Sequence, residues 1–146
     1  MKTKLRLADQ LPQAYQPLIA LDKILETTAI EPLQKELIKI RAAQLNGCAY
    51  CLNKHSSEAI KLGERVGRIA VLSAWREATN WFSEKDQLIL ELTEAVTLIA
   101  GNGLPEPLLQ KAIDVFGELT TTQIIMCIIS INTWTRIGVS FHMQPH

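Results

Sequence analysis

Along the chain, apolar residues recur every three or four positions, while alternating β-branched runs closed by turns, the mark of strands, are missing. This periodicity predicts an all-α protein. A first helix is expected from Pro12 to Glu26. A second opens at Glu31-Pro32, where proline suits the first turn, and stops near Asn46-Gly47. A third carries Cys48 and Cys51 and ends at Gly63, and shorter helical pieces cover Arg65 to Trp75. Ser83 followed by Asp86 predicts an N-cap for a helix reaching Ile99, which the glycines and proline between Gly101 and Pro105 close. Pro107 to Phe116 comes next. Gly117 breaks that segment, and Thr120 with Gln123 has capping-box spacing for a last helix reaching about Met143. The pattern amounts to a bundle of about six to eight helices.

A chain of 146 residues buries one sizeable core, so a single domain over residues 1–146 is expected. Lys plus Arg number 15 and Asp plus Glu also 15, so no overall field would hold the protein to nucleic acid or to an anionic membrane. Small substrates fit this balance better. The segment Met1 to Leu7 is basic without an apolar run behind it and does not read as a secretory signal, which places the protein in the cytoplasm. Ile124 to Ile131 is far shorter than a bilayer span and reads as a core or subunit-interface helix. In a reducing compartment, an odd count of 3 cysteines points to a catalytic or metal-binding pair rather than a disulfide framework.

The chemistry concentrates around that pair. On a helical wheel at about 100° per residue, Cys48, Cys51, Leu52, His55, Ala59 and Leu62 share one stripe, with Tyr50, Asn53, Lys54 and Ser57 opposite. Both cysteines fall in the first helical turn, where free N–H groups and the helix dipole favour thiolate over thiol. Residues three apart on a helix have Cα atoms roughly 5 Å apart, so Cys48 and Cys51 can close a disulfide. His55 lies one turn beyond Cys51, where it can take the Cys51 proton. On the preceding helix, Glu36 falls inside the apolar arc formed by Leu33, Leu37, Ile38, Ile40, Ala43 and Leu45, with Lys35 and Lys39 on the wet side. A carboxylate there must be paired or raised in pKa, which suits a proton-relay residue. Arg41 and Gln44 are its candidate partners.

Blander readings remain open at this level. The two cysteines could be buried structural thiols, or Cys48, Cys51 and His55 could bind zinc, although no fourth ligand follows at a suitable spacing. Glu36 could be a structural ion pair with Arg41 or another cation. Cys127 reads as core, His142 and His146 as disordered tail, and Trp75, Trp81 and Trp134 as core or interface anchors.

The run from Glu36 to His55, ELIKIRAAQLNGCAYCLNKH, closely resembles the signature of the AhpD-like alkylhydroperoxidase and carboxymuconolactone decarboxylase superfamily. Glu, Cys, Cys and His stand in register with it. Further resemblance lies in Trp75-Arg76-Glu77, in the acidic helix after Ser83 and in Ile131 to Ile137. The resemblance implies an all-helical protomer in a homo-oligomer, commonly a trimer or a hexamer. It also implies hydroperoxide reduction with no cofactor beyond the cysteine pair. Cys51 would be the peroxidatic thiol, Cys48 the resolving thiol, His55 part of a proton relay, and Glu36 the base feeding it. The implied reductant is a dithiol protein, lipoyl-bearing or thioredoxin-like. Peroxidase members carry a histidine between the cysteines, where this chain has Tyr50. The helix dipole alone would favour Cys48 as the more acidic thiol, whereas His55 and the superfamily pattern favour Cys51. The alternatives are a decarboxylase-like lyase acting on a lactone carboxylate, and a non-catalytic redox-sensing or zinc-binding oligomer.

Overall fold

A computed structural model describes residues 4–146. Among these residues the secondary structure is helical throughout: α1 (Leu7–Gln10), α2 (Pro12–Glu26), α3 (Pro32–Asn46), α4 (Ala49–Lys61), α5 (Val66–Val71), α6 (Glu84–Thr97), α7 (Glu106–Phe116) and α8 (Glu118–Ser140). Two 3-10 stretches, Leu72–Glu77 and Thr79–Trp81, link α5 to α6. Met1, Lys2 and Thr3, the first part of the segment read as lacking a signal, lie outside the described residues.

Local chemistry accounts for most boundaries. Pro12 and Pro32 stand in the first turns of α2 and α3, where a missing N–H costs nothing. Ser83 caps α6 in a full capping box: the Asp86 N–H donates to Ser83 Oγ at 3.0 Å, and the Ser83 N–H donates to Asp86 Oδ2 at 3.3 Å. The expected Thr120 capping box does not form. Gly117, at φ 84°, is itself the N-cap of α8, and Thr120 already lies within the first turn of that helix. The short helix α1 had no counterpart in the periodicity, since four residues are too few to show one.

Helix α3 is the hub, packing against α4, α6 and α8, and α8 in turn touches α2, α4, α6 and α7. One side of α3 delivers Ile38 and Ala42 to a core with Ile89, Leu92, Ile124 and Ile128. The other side delivers Leu37 and Ile40 to a second cluster with Leu72, Trp75, Phe82 and Leu90. Each fully buried Leu or Ile contributes about 1.5–3 kcal/mol relative to exposure, so α3 is held from both faces. No helix among the described residues is long and apolar enough to cross a membrane. The apolar run in α8 is buried at Ile124, Cys127, Ile128 and Ile131 and exposed at Ile129.

Candidate active site

The site begins where α3 stops. Gly47 takes the left-handed conformation (φ 67°), and the Cys48 N–H reaches back to the Ala43 carbonyl at 3.1 Å, which turns the chain sharply into α4. Asn46 pins this turn to α8 through its Nδ2, which donates to Asn132 Oδ1 and to Thr135 Oγ1, each at 2.9 Å. Cys48 is thereby the N-cap residue of α4, and Cys51 follows in its first turn. The two Cα atoms are 5.3 Å apart and the sulfurs form a disulfide. The Cys51 N–H also points at Cys48 Sγ, 3.3 Å away, so a Cys48 thiolate would sit where the helix N-terminus attracts negative charge. Cys48 is 1% exposed and Cys51 3%.

Glu36 is buried on the face of α3 that meets α4. It accepts a hydrogen bond from His55 Nδ1 at 3.0 Å, and Lys39 Nζ lies 3.5 Å from its other oxygen. An ionised carboxylate accepts only, so His55 carries a proton on Nδ1 and presents Nε2 as its basic nitrogen. Burial pushes the Glu36 pKa up, but the His55 hydrogen bond and the nearby Lys39 charge outweigh it, and Glu36 is held below its ordinary value of 4.5. Glu36 is therefore ionised at neutral pH. His55 sits one helical turn after Cys51, at the spacing where side chains of one face meet.

The partners expected for Glu36 go elsewhere. Arg41 Nε and Nη2 reach Glu94 Oε2 at 3.3 and 3.1 Å, and Arg41 Nη1 donates to Gln44 Oε1 at 3.0 Å. Arg41 lies five residues past Glu36 on the helix, and Glu94 on α6 offers it a carboxylate across the core. Trp75 Nε1, at 3.4 Å, and Arg76 converge on the same Glu94 carboxylate, which ties the resembling Trp75-Arg76 segment to α3 and α6. Leu62, placed inward by the wheel, is 48% exposed because α4 has ended at Lys61 and its periodicity no longer applies. Lys39 is not on a wet face but bends onto Glu36, with 30% of its side chain exposed. Tyr50 is half-buried beside the cysteines, and its ring meets the edge of His146 at 5.7 Å. His146 is thus not a loose end: its carbonyl accepts from Asn53 Nδ2 at 3.4 Å. Cys127 is buried in the core, and desolvation raises its thiol pKa. Among the described residues, no group of three or more His, Cys, Asp or Glu side chains is arranged to hold a metal ion.

Gly138 was not anticipated as a site residue. A Cβ built there would lie 2.7 Å from Cys48 Sγ and 3.5 Å from Cys51 Sγ, so α8 passes directly over the disulfide and only glycine leaves room. Gly138 stands in the last turn of α8, and a glycine inside a helix costs up to about 1 kcal/mol against alanine, which was the available signal of a close approach. Beside it, Gly47, Cys48, Ala49, Gly138, Val139 and Met143 line a cleft of about 180 Å³.

Fold and site together define an all-helical protein with a cysteine pair at a helix N-terminus and a carboxylate–histidine pair beside it. The carboxymuconolactone decarboxylase family model matches residues 10–94, a span that holds Glu36, Cys48, Cys51 and His55. The chain belongs to that family. It is 34% identical over 129 residues to the uncharacterized protein YdfG of Bacillus subtilis (strain 168), covering 88% of this chain and 87% of that one. It also matches a crystal structure of an Agrobacterium tumefaciens protein of unknown function, suggested there to be the antioxidant defence protein AhpD. That match has a TM-score of 0.92 at 32% identity and covers 99% of each chain. The AhpD-like fold expected from the sequence is therefore the fold of this protein.

Proposed function

We propose that the protein reduces hydroperoxides through Cys51, with Cys48 as the resolving thiol and Glu36 and His55 moving the protons. The observation that carries this reading is the Cys48–Cys51 disulfide at the start of α4, one turn from a histidine oriented by a buried carboxylate. The Cys51 thiolate attacks the terminal oxygen of ROOH, the O–O bond breaks, and the alkoxide takes a proton to leave as ROH. Cys48 then attacks the sulfenic acid, water departs, and the disulfide closes. The electrons return from a dithiol reductant, lipoyl-bearing or thioredoxin-like, and the disulfide itself is the only redox group required. With Nδ1–H held by Glu36, His55 Nε2 accepts the Cys51 proton and later gives one to the departing oxygen.

We place this chemistry in the cytoplasm, in a homo-oligomer such as a trimer or a hexamer. Ile24 (65%), Val66 (66%) and Leu119 (72%) are exposed apolar side chains that contact with further copies would remove from water.

The test is a thiol count before and after one equivalent of tert-butyl hydroperoxide, with the new disulfide located by mass spectrometry. Two thiols are expected to vanish into a Cys48–Cys51 bridge while Cys127 stays free, and Cys51→Ser is expected to abolish peroxide consumption. Undiminished consumption by Cys51→Ser would overturn the proposal. The family's name supports a second reading, a lyase acting on a lactone carboxylate; its turnover would survive replacement of both Cys48 and Cys51 by serine.

A further inference from the structure

We propose that Cys48, not Cys51, is the sulfur at which the dithiol reductant attacks, and that the cleft between the α4 N-terminus and the C-terminal end of α8 is its entry slot. This rests on the reading of the cysteine pair as a redox centre. Both sulfurs are almost closed to bulk solvent, so a reductant must approach along a defined opening. The cleft beside Gly138 is lined by Cys48 and not by Cys51, which follows one helical turn nearer His55 in the chain.

The cleft is built, not incidental. After α8 ends, the chain reverses at His142 (φ 53°), and the Met143 N–H returns to the Gly138 carbonyl at 2.9 Å. This turn brings His142, Met143 and Gln144 to the cleft, which Gly47 and Ala49 also line. Gly138 lines the cleft beside Cys48 and packs against its sulfur, so any side chain there would collide with it: a Cβ would stand 2.7 Å from Sγ. A volume of about 180 Å³ is below the range of about 300–1,000 Å³ that holds drug-sized ligands, and so admits a thiol on a slender arm rather than a broad side-chain cluster.

The exchange follows from thiol–disulfide chemistry. The incoming thiolate attacks Cys48 Sγ along the S–S axis, an R–S–S–Cys48 bond forms, and the Cys48–Cys51 bond breaks. The electron pair leaves on Cys51, as a thiolate beside His55. The second thiol of the reductant then attacks the R sulfur, releasing cyclic oxidised reductant and the Cys48 thiolate, so two electrons enter per disulfide opened. Opening at Cys48 regenerates the peroxidatic thiolate in the first exchange.

The experiment uses oxidised protein and no peroxide. First, the wild type is mixed with 2-mercaptoethanol, quenched in acid and digested, and mass spectrometry locates the mixed disulfide. The mercaptoethanol adduct is expected on Cys48. Second, dithiothreitol reduction is followed by stopped flow for Val139→Trp and Met143→Trp, which narrow the slot from exposed positions, and for Ile60→Trp, exposed elsewhere on α4, as control. The two slot variants are expected to be slowed by about tenfold with unchanged circular dichroism, and the control to match wild type. An adduct on Cys51, or slot variants reduced at the wild-type rate, would overturn the proposal while leaving the peroxidase reading intact. A disulfide that dithiothreitol cannot open would overturn both.

Discussion

Replacing Glu36 separates the relay from the thiols. Its carboxylate is the acceptor that holds His55 Nδ1 at 3.0 Å, and a hydrogen bond to a charged group is worth about 1.5–3 kcal/mol. In Glu36→Ala the ring loses its anchor and its fixed tautomer, and the imidazolium formed during thiol deprotonation loses its counter-charge. If that whole interaction is felt in the transition state, about 1.4 kcal/mol per decade converts it to a loss of roughly 10- to 150-fold. Glu36→Gln keeps an acceptor oxygen for Nδ1–H but removes the charge. Since charge-assisted bonds are about twice as strong as neutral ones, it should lose about half the free energy, a fall of roughly 4- to 12-fold. The assay is the rate at which tert-butyl hydroperoxide oxidises the reduced protein, read across pH, with thermal melts showing that both variants remain folded. The order wild type, Gln, Ala is the signature of a relay. Glu36→Ala within about twofold of wild type would refute it and leave Glu36 a purely structural anion.

Other consequences are equally direct. Because Glu36 titrates below its ordinary value of 4.5 in the folded chain, its contribution to stability is complete above that value and is lost as pH falls through the lower native one; urea melts of Glu36→Gln should therefore depend less on pH across the acid range than wild type. Gly138→Ala places a methyl 2.7 Å from Cys48 Sγ and should cost about 1–3 kcal/mol of stability as overpacking, measured by chemical denaturation of the oxidised protein. Glu94→Ala strips the acceptor from Arg41 and Trp75, with only 13% of the Arg41 and Glu94 side chains exposed, and should lower the melting temperature by on the order of 10 °C. Ser83→Ala removes one half of the α6 capping box and should cost about 1 kcal/mol in the same melts.

The features legible from the chain alone are the local ones. Pro12, Pro32, Gly47 and the Ser83–Asp86 box act within one turn of chain, so the bounds of α2 and α3 and the start of α6 were legible from them. The Cys48–Cys51 geometry was legible for the same reason, since helical rise alone sets a separation that the structure gives as 5.3 Å. Glu36 stood out because a carboxylate in an apolar arc must find a partner. Which partner it found was a tertiary matter. Arg41 was nearer in sequence, but α3 and α4 pack so that His55, 19 residues away, meets Glu36, while Glu94, 53 residues from Arg41, takes the guanidinium. The same holds for the roof over the disulfide. No spacing rule connects the α3–α4 turn to Gly138; only the docking of α8, fixed by Asn46 across 86 and 89 residues and by the core beneath it, brings that glycine onto Cys48. Secondary structure and candidate chemistry arise from near neighbours whose geometry the backbone dictates, whereas the pairing of charges and the shape around the sulfurs depend on packing between helices distant in the chain.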